Sequence, residues 1–225
     1  MTSWTISPSD LTFLWDECPR CFYLKVVHKF NRPAAPFPTI FGTIDRAMKQ
    51  AFQGHHPQEI SPTLPSGKLV FTESMLTSAP MQLPGANQQL ILRGKLDCLA
   101  QFDDGSYGVI DFKTSEPKEA HVSFYGRQLQ AYARCLENPA PQSLSASPIS
   151  ILGLLYFIPR PSENAQPSSF GIGGRLDWRE VPRDDTAFKA FLTQVTNVLS
   201  AGDPPAPSES CKYCQYRNEA RETGL

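Results

Sequence analysis

Hydrophobic and polar positions alternate with helical periods in the first quarter of this chain. The segment Ser7-Pro8-Ser9-Asp10 is typical of a helix start, with a serine cap, proline at the first helical position and an acid that completes a capping box. The apolar residues that follow predict a helix to about residue 28, interrupted or bent at Pro19. A second helix is predicted over 39–53, where apolar residues recur every four positions: Ile40, Ile44, Met48 and Phe52.

The pattern then changes to strands. We predict one or two strands over 68–86, a long strand from Leu90 to Phe102 and a further strand from Tyr107 to Thr114. The continuous apolar run from Ile149 to Ile158 predicts a buried central strand, and another strand follows near 169–181. Helical patterns cover 118–137 and 184–200. This order predicts an α/β protein in one domain over 1–225, with a mixed central sheet flanked by helices.

The hairpin between the middle strands constrains which side chains share a face. A plain two-residue turn at Asp104-Gly105 would pair Asp97 with Phe112, on the face opposite Asp111. A bulge with Gly105 in the left-handed conformation shifts the pairing by one residue and brings Asp97 onto the face of Asp111. We therefore predict that bulge.

These strands carry the candidate chemistry. Alternation puts Asp111 and Lys113 on one face, while Phe112 points into apolar packing on the other. Asp97 and Asp111 supply carboxylate oxygens, which are ligands that suit Mg²⁺ or Mn²⁺. Lys113 lies beside them and can polarise a water or a phosphate oxygen. This is the chemistry of phosphodiester hydrolysis. An ordinary structural ion pair between Asp111 and Lys113 is the alternative, although the apolar neighbours make a purposeless buried pair costly.

Composition limits the classes of function. The chain has 225 residues, of which 40% are hydrophobic and 19% charged, with a net charge of −1 and a pI near 6.4. This balance lacks the general basic footprint of a polyanion binder, although Lys25, His28, Lys29 and Arg32 form either a local basic patch or a solvated helix end. No apolar run approaches the length of a membrane span, and the first residues do not resemble a secretory signal. We expect a cytoplasmic protein without a membrane partner.

Six cysteines without a signal sequence favour reduced thiols or a metal site. Four of them form two pairs at opposite ends of the chain, Cys18-x-x-Cys21 and Cys211-x-x-Cys214. The spacing predicts one shared site that joins 1–30 to 205–225, and four thiolates suit either Zn²⁺ or a 4Fe–4S cluster. A redox dithiol or a sensor built on these thiols is the alternative, and Cys98 and Cys135 are expected in the core.

Several motifs in a fixed order resemble the RecB-type branch of the PD-(D/E)XK nuclease superfamily. They are SPSDLTFLWDECPRCFYL, FGTIDRAM, GKLD, VIDFKT, QLQAY and CKYCQYR. The resemblance implies a restriction-endonuclease-like core, with Asp97 and Asp111 as metal ligands and the backbone carbonyl of Phe112 as a further ligand. It implies that Lys113 orients the attacking water and stabilises developing charge. It also implies that two residues one helical turn apart, Gln128 and Tyr132, line the site and meet DNA.

This sequence departs from that branch in two places. The branch carries a metal-binding histidine four residues after a glycine, whereas here Arg46 holds that position after Gly42. Asp45 is the candidate for the missing ligand, although neighbouring helical residues point about 100° apart. The cysteines resemble those of iron–sulfur nucleases, including CRISPR-adaptation exonucleases and AddB-like subunits, in which one thiolate comes from the amino-terminal helix and three from the carboxyl end. Here the division is two and two, so that Cys21 replaces the missing thiolate. The resemblance favours a 4Fe–4S cluster, with Zn²⁺ as the alternative.

The resemblance implies a Mg²⁺- or Mn²⁺-dependent DNA nuclease, an exonuclease or flap-type enzyme of repair or recombination. DNA with single strands or ends is the expected partner, with a helicase or repair subunit beside it. The alternative is a non-catalytic relative that binds DNA or a protein and keeps the fold as a scaffold. Arg46 and the near-neutral charge support that alternative.

Overall fold

The computed structural model describes residues 3–34, 36, 38–70, 75–162 and 171–224, except for the side chains at 120 and 123. The strands are β1 Ser3–Ile6, β2 Gly67–Val70, β3 Met75–Thr77, β4 Gln89–Lys95, β5 Cys98–Phe102, β6 Tyr107–Lys113, β7 Ile149–Pro161 and β8 Ile172–Glu180. The helices are α1 Phe13–Glu17, α2 Pro19–His28, α3 Thr39–Phe52, α4 Glu119–Glu137, α5 Asp185–Ser200 and α6 Lys212–Glu222, with 3₁₀ turns at Pro8–Leu11 and Pro57–Glu59.

The central sheet has five strands in the order β2-β5-β6-β7-β8. Strands β6 and β7 are parallel, and the other neighbouring pairs are antiparallel. Helix α4 connects the two parallel strands along the chain, as a parallel pair requires. The mixed sheet flanked by helices that the sequence predicts is therefore confirmed.

Helices cover both faces of this sheet because the buried strands are apolar on both sides. On one face, Val109 of β6 joins a core with Leu129 of α4 and Val195 of α5. On the other face, Ile110 and Phe112 pack in a second core with residues of α3, including Met48. None of the helices in the described ranges combines the length and apolarity that crossing a bilayer requires.

The predicted single strand from Leu90 to Phe102 is wrong. Strand β4 lies in a separate three-stranded sheet of order β1-β4-β3, and β5 lies in the five-stranded sheet. Leu96, at the junction, is fully buried and anchors the change of direction in the main core. Apolar alternation has the same period whether a strand continues in one sheet or enters another, so the pattern could not reveal this break.

The amino-terminal helix also differs from its prediction. It consists of the 3₁₀ turn, α1 and α2, with Pro19 at the first position of α2 and Cys18 in extended conformation before it. The cap at Ser7 is confirmed, since its hydroxyl accepts from the Asp10 N–H at 3.3 Å. The full capping box is wrong, because the Asp10 carboxylate instead pairs with Lys25 Nζ at 2.7 Å. The short strand β1 and helix α6 had no prediction.

The bulged hairpin is confirmed. Gly105 has a φ of +85° and donates its N–H to the Phe102 carbonyl at 3.0 Å, while the Phe102 N–H bonds the Ser106 carbonyl at 2.9 Å. The ladder then pairs Cys98 with Ile110, one residue away from the register of a plain two-residue turn. This register extends to place Asp97 across from Asp111.

Gly105→Ala tests whether the left-handed turn contributes to stability. We expect a loss of about 1–2 kcal/mol in the free energy of unfolding, because a Cβ disfavours the left-handed conformation. Nothing lies within 4 Å of a Cβ built on Gly105, so crowding adds no cost. Gly173→Ala in β8 is the matched control, since its Cβ is equally uncrowded without a positive φ. Equal losses in urea denaturation of the two variants would contradict this interpretation.

Candidate active site and terminal metal site

An open cleft of about 560 Å³ lies where α3, the end of β6 and the start of α4 meet. Its walls carry three of the predicted functional side chains, Asp45, Asp97 and Lys113, together with Phe41, Gly42, Phe112, Thr114, Ser115 and Tyr125. The bulged register and the end of β6 thus bring residues from separate motifs to one opening. This cleft is the candidate active site.

Asp111 and Lys113 form the buried floor of the site. The Asp111 side chain is 3% exposed and makes an ion pair with Lys113. Gln128 of α4 donates from Nε2 to Asp111 Oδ1 at 3.0 Å, and its Oε1 accepts from Lys113 Nζ at 3.4 Å. The Lys113 ammonium also lies 4.1 Å from the centre of the Tyr125 ring. Strand alternation places Asp111 and Lys113 on one face, as predicted, and Gln128 of α4 lies beside both, as the resemblance implies.

Burial makes Asp111 an unusual carboxyl group. Loss of solvent and the charge of Asp97 together raise its pKa to about 6, against the opposing charge of Lys113. Asp97 and Asp111 therefore repel one another across the hairpin, and a cation bound between them would relieve that repulsion. A carboxylate that lines an open cleft and a second one buried beside it are a chemically suitable pair for Mg²⁺ or Mn²⁺.

Asp97 lies at the junction between β4 and β5, where the chain leaves one sheet for the other. Its Oδ2 accepts the backbone N–H of Phe112 at 3.1 Å, which fixes the carboxylate against the neighbouring strand. Its Oδ1 lies 3.2 Å from Nζ of Lys49 on α3. The role of the Phe112 carbonyl as a metal ligand stays a prediction.

Lys49 is a candidate residue that the sequence analysis missed. Its ammonium lies 2.9 Å from Asp45 Oδ2, and the two neighbouring carboxylates raise its pKa against the effect of burial. Asp45 lines the cleft, whereas Arg46 is exposed and contacts Thr43 Oγ1 at 3.3 Å. The sequence signal that could have identified Lys49 was its spacing of four residues from Asp45, which places both on one helix face.

Tyr132 and Gly94 hold the backbone that leads to Asp97. The Tyr132 hydroxyl donates to the carbonyl of Lys95 at 2.7 Å, and Gln128 Nε2 lies 3.3 Å from that hydroxyl. A Cβ on Gly94 would lie 2.5 Å from Cδ of Pro8 and 3.3 Å from Tyr132, so the first residue of the GKLD motif must be small. Tyr132 is 4% exposed and acts here as a positioning residue. Its expected contact with DNA stays a prediction.

The four paired cysteines come together at the joined ends of the chain. Their sulfurs all lie within 4.8 Å of one another, with Cys18–Cys214 at 3.8 Å, Cys21–Cys211 at 3.7 Å and Cys21–Cys214 at 3.6 Å. In the part of the chain that the structure describes, no other group of three or more potential His, Cys, Asp or Glu ligands is this close. The site therefore links α2 to the start of α6, as predicted.

This sulfur cluster has the environment of a metal site. Its separations far exceed a disulfide bond of about 2.05 Å, and all four cysteines are free and buried. Burial opposes ionisation, yet hydrogen bonds with the backbones of Ser208 and Cys21 lower the pKa of Cys18 to about 6. Nη2 of Arg32 lies 3.5 Å from the sulfur of Cys211 and supplies a compensating positive charge. Four buried thiol groups that converge on one point fit a thiophilic metal.

Comparisons with known proteins identify the family and support the fold. A family model described as the PD-(D/E)XK nuclease superfamily matches residues 64–218, and the chain belongs to that superfamily. The crystal structure of SSO0001 is similar with a TM-score of 0.53 and 17% identity, covering 95% of this chain and 84% of that chain. That likeness concerns the fold alone. No curated protein matches the sequence.

Replacing Asp111 by Asn tests the environment of the buried carboxylate. The native pKa of about 6 lies above the ordinary value of 3.8, so the group stabilises the fold fully below that ordinary value and loses this contribution as pH rises through about 6. In buffer without divalent ions, we expect the difference in free energy of unfolding between Asp111→Asn and the unchanged protein to shift in favour of the variant from pH 4 to pH 7, because only the unchanged protein loses the Asp111 contribution. Asp103→Asn, in the exposed turn, is the control. A parallel pH profile for the unchanged protein and Asp111→Asn would be inconsistent with the burial effect.

Proposed function

We propose that this protein is a divalent-metal-dependent deoxyribonuclease that hydrolyses phosphodiester bonds in DNA. The observation that carries the proposal is that Asp97 and Lys113 line an open cleft, with Asp111 buried beside them and paired with Lys113. Membership of the PD-(D/E)XK nuclease superfamily supports it, since nucleases of this superfamily use divalent metals. The predicted ligand set is Asp97, Asp111, the Phe112 carbonyl and Asp45.

The proposed roles follow from charge and position. Bound Mg²⁺ or Mn²⁺ supplies Lewis acidity and lowers the pKa of a coordinated water. Asp97 and Asp111 hold opposite sides of the hairpin at a fixed separation, because the Phe112 N–H orients the first and Gln128 orients the second. Lys113 lies at the end of β6, the strand that carries Asp111, and it lines the cleft. It would stabilise negative charge on the phosphate and position the attacking water.

The finer substrate assignment rests on the resemblance to the RecB-type branch. It favours action on single-stranded ends or flaps during repair or recombination, as an exonuclease or flap-type enzyme in the cytoplasm, with a helicase or repair subunit as partner. Two members of the predicted basic patch already have acidic partners, since Lys25 pairs with Asp10 and Arg32 with Glu17. Binding of the DNA backbone would therefore rely on the cleft itself more than on that patch.

A catalytically inactive module that binds DNA or serves as a scaffold is the second candidate. Lys49 favours it, because its ammonium pairs with both Asp45 and Asp97 where a catalytic site would use these acids for a metal. Arg46, in place of the histidine of the branch, favours it as well. Cleavage activity separates the two candidates.

For the four cysteines, we infer a single tetrahedral ion such as Zn²⁺ in place of the 4Fe–4S cluster that the resemblance favours. Zinc–sulfur bonds of about 2.3 Å at tetrahedral angles place the sulfurs about 3.8 Å apart. Three of the six sulfur–sulfur separations are 3.6–3.8 Å, close to that value, and all six are within 4.8 Å. In a 4Fe–4S cluster each cysteine binds a different iron, so the sulfurs surround a whole cube of iron and sulfide and lie much farther apart.

Purified protein with Mn²⁺ and labelled single-stranded DNA tests the nuclease. We expect Asp111→Asn and Lys113→Met each to lower the cleavage rate by about a hundredfold or more, because the first removes a proposed metal ligand and the second removes a positive charge that stabilises the transition state. Asp103→Asn, in the exposed hairpin turn, should cleave like the unchanged protein. Tight DNA binding without cleavage under any divalent ion would select the scaffold; cleavage that survives both active-site changes would eliminate the proposed residues.

Elemental analysis of protein purified without oxygen tests the terminal site. We expect one zinc per chain and no visible absorbance of the iron–sulfur type. Cys214→Ser should lose the metal and lower the melting temperature, whereas Cys98→Ser, at a buried cysteine outside the cluster, should retain zinc. Stoichiometric iron and sulfide would reject the single-ion site while leaving the nuclease proposal unaffected.

A further inference from the structure

Lys49 joins two acids that belong to different elements. It contacts Asp45, one turn earlier on α3, at 2.9 Å, and Asp97, at the β4–β5 junction, at 3.2 Å. Its side chain is 12% exposed. Solvent screens the pair with Asp97, whose side chain is 23% exposed, less than it screens the pair with Asp45, whose side chain is 38% exposed.

Asp97 already uses both of its oxygens. Oδ2 accepts from the Phe112 N–H, and Oδ1 faces the Lys49 ammonium. A divalent ion held by Asp97 must therefore share this carboxylate with a positive group or displace that group. Two cations on one carboxylate repel each other strongly in a partly buried site.

The charges of the described residues around the cleft also favour competition between Lys49 and a divalent ion. Asp45, Asp97 and Asp111 supply three negative charges, while Lys49 and Lys113 supply two positive charges. Among these five residues one net negative charge remains, and without the Lys49 charge there would be two.

We propose that Lys49 is a built-in counter-cation that competes with the divalent ion for Asp45 and Asp97 and so keeps the metal affinity of the cleft low. The ion enters by exchange with the ammonium, and the same ammonium holds the acids together when no ion is bound. This inference rests on the proposed function only in placing the divalent ion in this cleft. It concerns binding of the ion and is independent of whether DNA is cut.

Titration of the full chain with Mn²⁺, followed by electron paramagnetic resonance of the free ion, tests the proposal directly. We expect Lys49→Met to bind Mn²⁺ on the order of tenfold more tightly than the unchanged protein, since it removes a positive charge next to the ligands. Lys49→Gln keeps a polar side chain near the acids, and it should also bind Mn²⁺ more tightly than the unchanged protein. Arg46→Met is the matched control, because it removes an exposed positive charge from the same helix, and it should change the affinity by less than about threefold.

Thermal unfolding gives a second readout. Without divalent ions, Lys49→Met and Lys49→Gln should melt below the unchanged protein, because Asp45 and Asp97 lose their counter-ion. Mn²⁺ should raise the melting temperature of both variants by more than it raises that of the unchanged protein.

Unchanged or weaker Mn²⁺ binding in both Lys49 variants would overturn the proposal, and so would an equal gain in Arg46→Met. Absence of Mn²⁺ binding in every protein would overturn it as well. Tighter binding by the Lys49 variants in proteins that never cut DNA would support this inference and reject the nuclease. If the unchanged protein cleaves DNA and the Lys49 variants bind Mn²⁺ with unchanged affinity, the nuclease proposal would be supported and this inference rejected.

Discussion

The burial of Asp111 is the constraint around which the candidate site is organised. A carboxylate on a central strand loses its solvent, and the structure compensates with an ion pair from Lys113 and an amide from Gln128. Removal of one partner would leave a buried charge uncompensated, which is far more costly than loss of a surface pair. Both compensating groups therefore have fixed positions, and they fix the orientation of the acid that a bound ion would meet.

The position of Asp97 depends on backbone features that act at a distance from its side chain. The left-handed Gly105 sets the hairpin register, and the close approach of Pro8 to Gly94 sets the path of the preceding strand. Tyr132 holds the carbonyl of Lys95 two residues before the acid. A site whose residues are spread over β4, β6, α3 and α4 is thus determined by packing as much as by its polar groups.

Sequence reasoning succeeded where local chemistry decides the outcome. The bulge at Gly105 follows from strand alternation once Asp97 and Asp111 are required to share a face, and the place of Gln128 beside Asp111 is what the family resemblance implies. It failed where tertiary geometry decides. The split between β4 and β5 leaves no mark in the alternation, and the contact of Lys49 with Asp97 depends on how α3 lies against the sheet. The spacing of Asp45 and Lys49 indicated a pair on one helix face, but the contact of Lys49 with Asp97 could be recognised only in the structure.

The cysteine site and the active site are connected through the amino-terminal helices. The sulfurs hold α2 to α6, and Arg127 of α4 binds both oxygens of Asp16 on α1, at 2.9 and 2.8 Å. Arg127 precedes Gln128, which bonds Asp111, so α1 is fixed to the segment of α4 that orients the buried acid. Pro8 makes a second connection by packing on Gly94. Because these contacts depend on the placement of the first thirty residues, a metal bound by the four cysteines would stabilise the geometry of the cleft from outside it.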